Sequence, residues 1–176
     1  MNIYGEKIVL RAIRMSDAEL LCNIINDPNT EKMLGGSSFP VSLEHQCEWI
    51  NKQTDLTDTL RCIVARKETV DEGLGTVILS DIDLKNGTAE VHIKLDQNTG
   101  RGKGYGTDAL NTIVKYAFEE MRLNCIYAEV LEYNTVSLKL FDKCGFIKDG
   151  ILRSRIYKNG RYLNVVALSK LRENIV

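Results

Sequence analysis

The sequence predicts an α/β fold in which helices pack on a mixed β-sheet. Short segments with alternating apolar residues indicate strands, and longer segments with apolar residues at helical spacing indicate helices. Two Asn-Gly pairs indicate tight hairpin turns. The resulting order is β-α-α-β-β-β-α-β-α-β-β, with about seven strands and about four helices. A chain of 176 residues, 44% of them hydrophobic, is expected to form one domain over residues 1–176.

The first third of the chain predicts one strand and two helices. Residues 7–12 are predicted to form the first strand. Ser16 and Glu19 have the spacing of a capping box, which predicts a helix that ends before Pro28. A second helix is predicted over residues 42–53, because apolar side chains recur on one face.

The middle of the chain predicts strands over residues 61–66, 75–83 and 90–95, with Asn86-Gly87 as the turn before the last of them. In that last strand apolar residues alternate with polar ones, so one face is expected to carry Glu90, His92 and Lys94.

The second half predicts a long helix with apolar residues from Ala109 to Met121, a strand over 125–131 and a short helix over 135–144. A final hairpin is predicted from strands over 151–157 and 161–169.

Composition excludes several classes of protein. A net charge of −1 and a pI of about 6.2 argue against a nucleic-acid binder. The N-terminus has no signal-peptide pattern and no apolar run approaches about 18 residues, so no membrane span is expected and the expected location is cytoplasmic. The five cysteines and two histidines are scattered without a CxxC pair, so we expect neither a metal site nor a disulfide framework.

The most informative segment is the glycine-rich stretch over residues 97–107, which follows a strand and opens a helix. Glycine lets backbone N–H groups turn toward a ligand, and a helix N-terminus adds unpaired donors and a positive dipole end. Arg101 and Lys103 add positive charge, so the segment predicts a site for a pyrophosphate. Four of the thirteen glycines alternate there: Gly100, Gly102, Gly104 and Gly106.

Two common nucleotide motifs do not fit this stretch. A Walker A loop would need Ser or Thr after Lys103, where Gly104 stands. The dinucleotide fingerprint would need its third glycine at Tyr105 or Thr107. The pattern that fits is Arg-x-x-Gly-x-Gly starting at Arg101, which resembles the coenzyme A signature of the GNAT family of N-acetyltransferases. A glycine-rich turn without a ligand is the alternative.

Other segments carry the same resemblance. Asn134 followed by residues 137–146 looks like the family's Asn-led helix that ends in Gly-Phe, and residues 89–95 look like its splayed strand. Residues 7–11 and 158–162 are most similar to the branch that holds spermidine and ribosomal-protein N-terminal acetyltransferases. The resemblance implies a mixed, mostly antiparallel central sheet flanked by helices.

The resemblance also implies a co-substrate, acetyl-CoA, and the residues that hold it. Backbone groups of Ile93, Lys94 and Leu95 would pair with the pantetheine arm like an added strand. Asn134 would hydrogen-bond the pantetheine. Backbone N–H groups would hold the pyrophosphate along Arg101, Gly102, Lys103, Gly104, Tyr105, Gly106 and Thr107.

Acetyl transfer requires the acceptor amine to lose a proton, and Glu90 is the candidate base, directly or through water. The alternative is that Glu90 forms a cross-strand salt bridge. His92, which titrates near neutral pH, could serve instead, or could simply be a packed or surface residue.

One position departs from the family pattern. The leaving-group acid is often a tyrosine on the helix after Asn134, and this sequence has Phe141 there. Either another group acts, with Tyr133 nearest in sequence, or water protonates the thiolate, or the protein binds coenzyme A with little catalysis. Phe141 also fits a core position, in step with Leu140 and Cys144.

The sequence therefore favours an N-acetyltransferase that moves an acetyl group from acetyl-CoA to a primary amine, either a polyamine such as spermidine or a protein N-terminal amine. An acyl-CoA-binding sensor is the alternative, and an unrelated nucleotide binder is disfavoured by the failed motifs. Specificity is expected from residues 15–56, and a homo-oligomer is left open. Carboxylates available there for a polyamine are Glu31, Glu44 and Glu48.

Overall fold

The computed structural model describes residues 1–35, 39–55, 58–96 and 102–173. Within these ranges it has eight strands in one sheet and five α-helices. The strands are β1 (Ile3–Tyr4), β2 (Ile8–Arg11), β3 (Leu60–Arg66), β4 (Gly73–Asp83), β5 (Thr88–Leu95), β6 (Cys125–Leu131), β7 (Ile147–Lys158) and β8 (Arg161–Leu171). The helices are α1 (Ala18–Asn26), α2 (Pro28–Lys32), α3 (Leu43–Asn51), α4 (Tyr105–Glu119) and α5 (Thr135–Lys143).

The predicted α/β fold is confirmed, with one strand and one helix more than the sequence indicated. The extra strand, β1, has only two residues, too few for an alternating pattern to register. The extra helix, α2, begins at Pro28, where the sequence analysis expected only a stop. Proline is well tolerated at the first helical position, and the Asp27 carboxylate accepts a hydrogen bond from the Thr30 N–H as the cap.

The sheet has the strand order β1-β2-β3-β4-β5-β6-β8-β7. All neighbouring strands pair antiparallel except β5 and β6, which are parallel. This is the mixed, mostly antiparallel arrangement that the resemblance implies.

The parallel pair opens into a fork. Strand β5 pairs with β6 only from Thr88 to Glu90, although β5 continues to Leu95 and stays paired with β4 to that point. Beyond the fork β6 remains paired with β8 as far as Leu131. Among the described strands, the β6-facing backbone edge of β5 from Val91 to Leu95 therefore has no partner.

The two faces of the sheet differ in character. One face carries the main core, packed under α4 and α5, which includes Ile8, Val64, Leu79, Val91, Ile113, Ile126 and Phe141. The other face carries two smaller clusters. The α1–α3 wall consists of Val9, Ile63 and Ala65 with Ala18, Leu21 and Ile50. The hairpin wall consists of Leu131, Leu163 and Val165 with Tyr133, Leu152 and Ile156.

A buried ion pair sets the start of α1. The Arg11 guanidinium bonds both carboxylate oxygens of Asp17 at 2.8 Å, and the two side chains are 1% and 3% exposed. Its other N–H groups donate to the backbone carbonyls of Val70, Asp71 and Ala12.

The predicted capping box of Ser16 and Glu19 is wrong. The N-cap residue of α1 is Asp17, and it makes no side-chain cap. Its carboxylate is instead occupied by Arg11 and by the N–H of Arg14, so a short 3₁₀ turn precedes the helix.

The buried pair gives a stability prediction. Arg11→Met leaves the Asp17 carboxylate buried without its counter-charge, so we expect the free energy of unfolding to fall by about 3–5 kcal/mol. The control is Arg14→Met, since Arg14 pairs with Asp71 at the surface, 51% and 89% exposed. That change should stay within about 0.5 kcal/mol. Urea unfolding measures the free energy of unfolding of both variants. Equal losses in the two would show that the buried pair stabilises the fold no more than the surface pair.

Candidate active site

The turn before α4 has the backbone shape that its glycines allow. Gly102 and Gly104 have positive φ values of 76° and 84°, in the left-handed region. Gly104 is the N-cap residue of α4 and provides no side-chain cap. Among the described residues, no N-cap side chain therefore accepts the first-turn N–H groups of Tyr105, Gly106 and Thr107, which suits an anionic ligand. Arg101, which is predicted to bind the pyrophosphate, and residues 97–100 lie outside the described residues.

The start of strand β2 holds this turn in place. The carboxylate of Asp108, in the first turn of α4, accepts the backbone N–H groups of Glu6, Lys7 and Ile8 at 3.1, 2.7 and 3.0 Å. The Lys7 ammonium also donates to the carbonyl of Lys103 at 3.3 Å. Sequence analysis missed this support, because it joins positions about a hundred residues apart.

The end of β5 lies directly beside the helix start. A Cβ placed on Gly106 would be 3.4 Å from Leu95 Cδ1 and 3.7 Å from Leu140 Cδ2. Side chains of Ile93 and Leu95 pack against the main core, whereas Lys94 lies half-buried on the opposite face. Burial lowers the pKa of the Lys94 ammonium. The fork edge, the glycine turn and α5 therefore meet at one place.

Asn134 caps α5 and makes a second contact. Its Oδ1 accepts the N–H of Ser137 at 3.1 Å, and its Nδ2 donates to the Met33 carbonyl at 3.2 Å. The neighbouring Tyr133 is half-buried, and its hydroxyl donates to the Lys32 carbonyl. Both side chains thus contact the C-terminal end of α2, at its last residue and the residue that follows. The predicted roles of Asn134 toward pantetheine and of Tyr133 as an acid stay predictions.

Glu90 lies at the fork, as the last residue of β5 that pairs with β6. Its side chain is 18% exposed. Burial, followed by the charges of Glu129 and Asp81, raises the pKa of its carboxyl to about 7, while a backbone hydrogen bond from Glu129 opposes the rise. A group with a pKa near the working pH is suited to act as a base.

The surroundings of Glu90 bear on whether it acts as a base or forms a cross-strand salt bridge. Among the described residues, its ion contact is with His92 on the same strand, Nε2 to Oε2 at 3.6 Å, rather than with a neighbouring strand. His92 also bonds the Ser80 hydroxyl at 2.9 Å. Burial and then the charge of Lys94 lower the pKa of the His92 imidazole, so at neutral pH it is mostly uncharged.

These polar side chains lie between the α1–α3 wall and the hairpin wall, and we call the space over them the cleft and their own surface its floor. Ser80, Glu90 and Tyr127 are register partners across three strands, and Ile78 pairs with His92 in the next row. Their face is the one opposite the main core. The α1–α3 wall and the hairpin wall lie on this same face, on either side of the floor. Sequence analysis predicted the face of Glu90 correctly but missed Asp81, whose position depends on a bulge in β4.

Phe141 lies in the main core. It is 3% exposed and packs edge-to-face on Phe146 with ring centroids 4.9 Å apart. This agrees with the interpretation of Phe141 as a core residue, and its ring cannot donate a proton.

The fold and this site define an acetyltransferase of the GNAT class, and comparison with known sequences agrees. The family described as "Acetyltransferase (GNAT) domain" matches residues 7–147, so the chain belongs to the GNAT family. It is an N-acetyltransferase that uses acetyl-CoA.

Individual relatives extend the likeness over nearly the whole chain. The uncharacterised N-acetyltransferase p20 of Bacillus licheniformis is 33% identical over 97% of this chain and 96% of its own. The spermidine N(1)-acetyltransferase of Vibrio cholerae is 26% identical over 92% of this chain and 91% of its own. A crystal structure of the Vibrio cholerae spermidine N-acetyltransferase with CoA and spermine superposes with a TM-score of 0.86 at 26% identity, covering 95% of this chain and 96% of that one.

The comparisons give no support to a sensor without catalysis, since these relatives are named as N-acetyltransferases. In the described ranges no helix is both long and apolar enough to cross a membrane.

Proposed function

We propose that this enzyme, acting as a single domain over residues 1–176, acetylates a primary amine of a polyamine such as spermidine. The observation that carries the proposal is the half-buried carboxylate of Glu90 at the fork, with Asp81 and Glu129 close enough to raise its pKa. A polyamine is a chain of ammonium groups, and a cation that binds beside these carboxylates relieves their mutual repulsion. The spermine in the Vibrio cholerae complex is in line with this choice.

The residues beside the fork fit acetyl-CoA, which supplies the acetyl group as a thioester. In our proposal the open backbone edge at Ile93, Lys94 and Leu95 holds the amide-containing arm as an added strand would. The first-turn N–H groups of α4 and the turn residues Gly102, Lys103 and Gly104 hold the pyrophosphate, with Arg101 assigned to it by the resemblance. Asn134 lies at the same end of the fork, where β6 passes into α5.

Glu90 is the proposed base. A lysine-like amine has a pKa near 10.4, so only about one molecule in a thousand is neutral at pH 7. The ammonium proton passes to a carboxylate oxygen of Glu90, directly or through one water, and the freed lone pair then attacks the acetyl carbonyl. A bound polycation lowers the pKa of Glu90, because opposite charge favours the ionised form.

Departure of the thiolate needs little help from an acid, because a thiol of pKa about 8.5 is a reasonable leaving group. The Tyr133 hydroxyl would have to leave the Lys32 carbonyl before it could donate a proton to the sulfur. We therefore propose that the thiolate departs chiefly without an internal acid, and that Phe141 lowers the rate rather than abolishing it. Tyr133 is the internal acid to test if this step proves to be catalysed.

Acetyl-CoA binding at the glycine turn can be tested with Gly104→Val. The valine side chain at positive φ strains the turn and blocks close approach of an anion, so we expect affinity to fall by about tenfold or more, equal to ~1.4 kcal/mol. Gly160→Val is the control, because Gly160 has a similar φ of 78° in the β7–β8 turn. Calorimetric titration of both folded variants with acetyl-CoA is the measurement. If Gly104→Val binds as tightly as Gly160→Val, the site is assigned wrongly.

The role of Glu90 as the base can be tested by pH–rate profiles with spermidine as the acceptor. A panel of other amines, including amino sugars and short peptides, tests the choice of acceptor. The parent's kcat/KM should rise with pH around 7 as Glu90 loses its proton. Glu90→Gln should remove that rise and lower kcat/KM at pH 7 by about 10²-fold or more.

Two controls accompany this test. Glu68→Gln, at an exposed glutamate, should match the parent, and His92→Gln should keep the rise near pH 7. If His92→Gln loses the rise and Glu90→Gln keeps it, His92 is the base. Transfer to peptides but not to any polyamine would replace the proposed acceptor.

A further inference from the structure

A set of long-range hydrogen bonds closes on residues 31–34, the end of α2 and the two residues after it. The Tyr133 hydroxyl donates to the Lys32 carbonyl, and Asn134 Nδ2 donates to the Met33 carbonyl. The Lys158 ammonium donates to the carbonyls of Glu31 and Leu34, each at 2.6 Å. The last carbonyls of a helix have few backbone donors, and here each of the four receives a side-chain donor. The Glu31 carbonyl also accepts the N–H of Leu34. We call these bonds the α2 clasp.

Lys158 is the centre of the clasp. It is 7% exposed, and its ammonium also pairs with the Glu31 carboxylate at 2.7 Å. An ammonium has three donors, and these three acceptors use all of them. Such a cation is costly to bury unless it is paired and hydrogen-bonded, so its position at the end of β7 depends on the α2 segment. The dependence is mutual, because the loss of Lys158 removes the side-chain donor of the Leu34 carbonyl and one of the donors of the Glu31 carbonyl.

The clasp lies on the face of the sheet that carries Glu90. In β6, Ile126, Ala128 and Val130 point into the main core, so alternate residues up to Leu131 point to the opposite face. Leu131 belongs to the hairpin wall together with Tyr133 and Ile156.

The residue after the clasp packs on the same wall. A Cβ on Gly35 would lie 3.2 Å from Ile156 Cδ1, so this part of the chain rests directly on β7. Residues 31–35 therefore line the hairpin side of the cleft at the open end of the fork.

We propose that Lys158 is a positioning residue for the acceptor amine. It does not touch the reacting atoms; it fixes residues 31–35 against the hairpin wall and so sets the shape of the acceptor side of the cleft. This inference rests on the proposed function and adds to it a residue far along the chain from residues 15–56. Because Tyr133 and Asn134 belong to the same clasp, the acceptor side is fastened to the loop that begins α5.

The test is steady-state kinetics of Lys158→Met with spermidine as the acceptor. Methionine keeps an unbranched apolar stem and removes the ammonium. We expect the KM for spermidine to rise by about tenfold or more while kcat changes by less than about threefold, the pattern of lost acceptor binding. Affinity for acetyl-CoA, measured by calorimetry, should stay within about twofold, since α4, which begins at the glycine turn, packs on the opposite face of the sheet.

Lys148→Met is the matched control, because Lys148 is an exposed lysine on the same strand. Lys158→Arg keeps a cation with several donors, so its KM for spermidine should lie between those of the parent and Lys158→Met. Hydrogen exchange gives a readout without catalysis: the amides of Met33 and Leu34, which bond Thr30 and Glu31, should exchange faster in Lys158→Met.

The outcomes separate the two proposals. If the parent transfers acetyl groups to no amine, the proposed function fails and this inference fails with it. If the parent is active and Lys158→Met has the spermidine KM of Lys148→Met, only the inference fails. An equal loss in acetyl-CoA affinity and spermidine KM would also overturn it, because that is the result of general loosening. Should Lys158→Met not fold, Glu31→Gln applies the same kinetic criteria with the carbonyl bonds kept.

Discussion

The site depends on one break in pairing: β5 and β6 are joined at only three residue pairs, the last at Glu90. Up to that point the sheet is continuous, so Glu90 is held rigidly by neighbours on both sides. Beyond it β5 follows β4 while β6 follows β8, and an open backbone edge results. A fork of this kind offers backbone donors and acceptors for an extended ligand next to a fixed carboxylate.

The electrostatics of the fork follow from the same geometry. Glu90 is shielded from water on the floor of the cleft, and two further carboxylates act on it. The pKa of its carboxyl is therefore raised to about 7. Burial also lowers the pKa values of His92 and Lys94 in the same strand.

Much of the fold could be predicted from sequence because the pattern is local. The alternation around Val91 fixed which face Glu90 occupies, and the glycine run located the start of α4. What could not be predicted depends on distant contacts. The Asp108 carboxylate accepts backbone N–H groups of residues 6–8, about a hundred residues away. Lys158 has the sequence context of an ordinary polar residue before an Asn-Gly turn, although it is buried. Asp81 comes within range of Glu90 at a bulge where its φ is +50°, which no local pattern signals.

We propose that Glu90 is a shielded carboxyl whose proton affinity matches that of a base working near neutral pH. The direct measurement is the NMR titration of the Glu90 carboxyl carbon in glutamate-labelled protein, with Glu90→Gln to assign the signal. We expect a pKa of about 7 in the free enzyme. We also expect a lower value once spermine is bound, since a nearby cation favours the carboxylate. A titration near the ordinary glutamate value of about 4.3, unchanged by spermine, would contradict it.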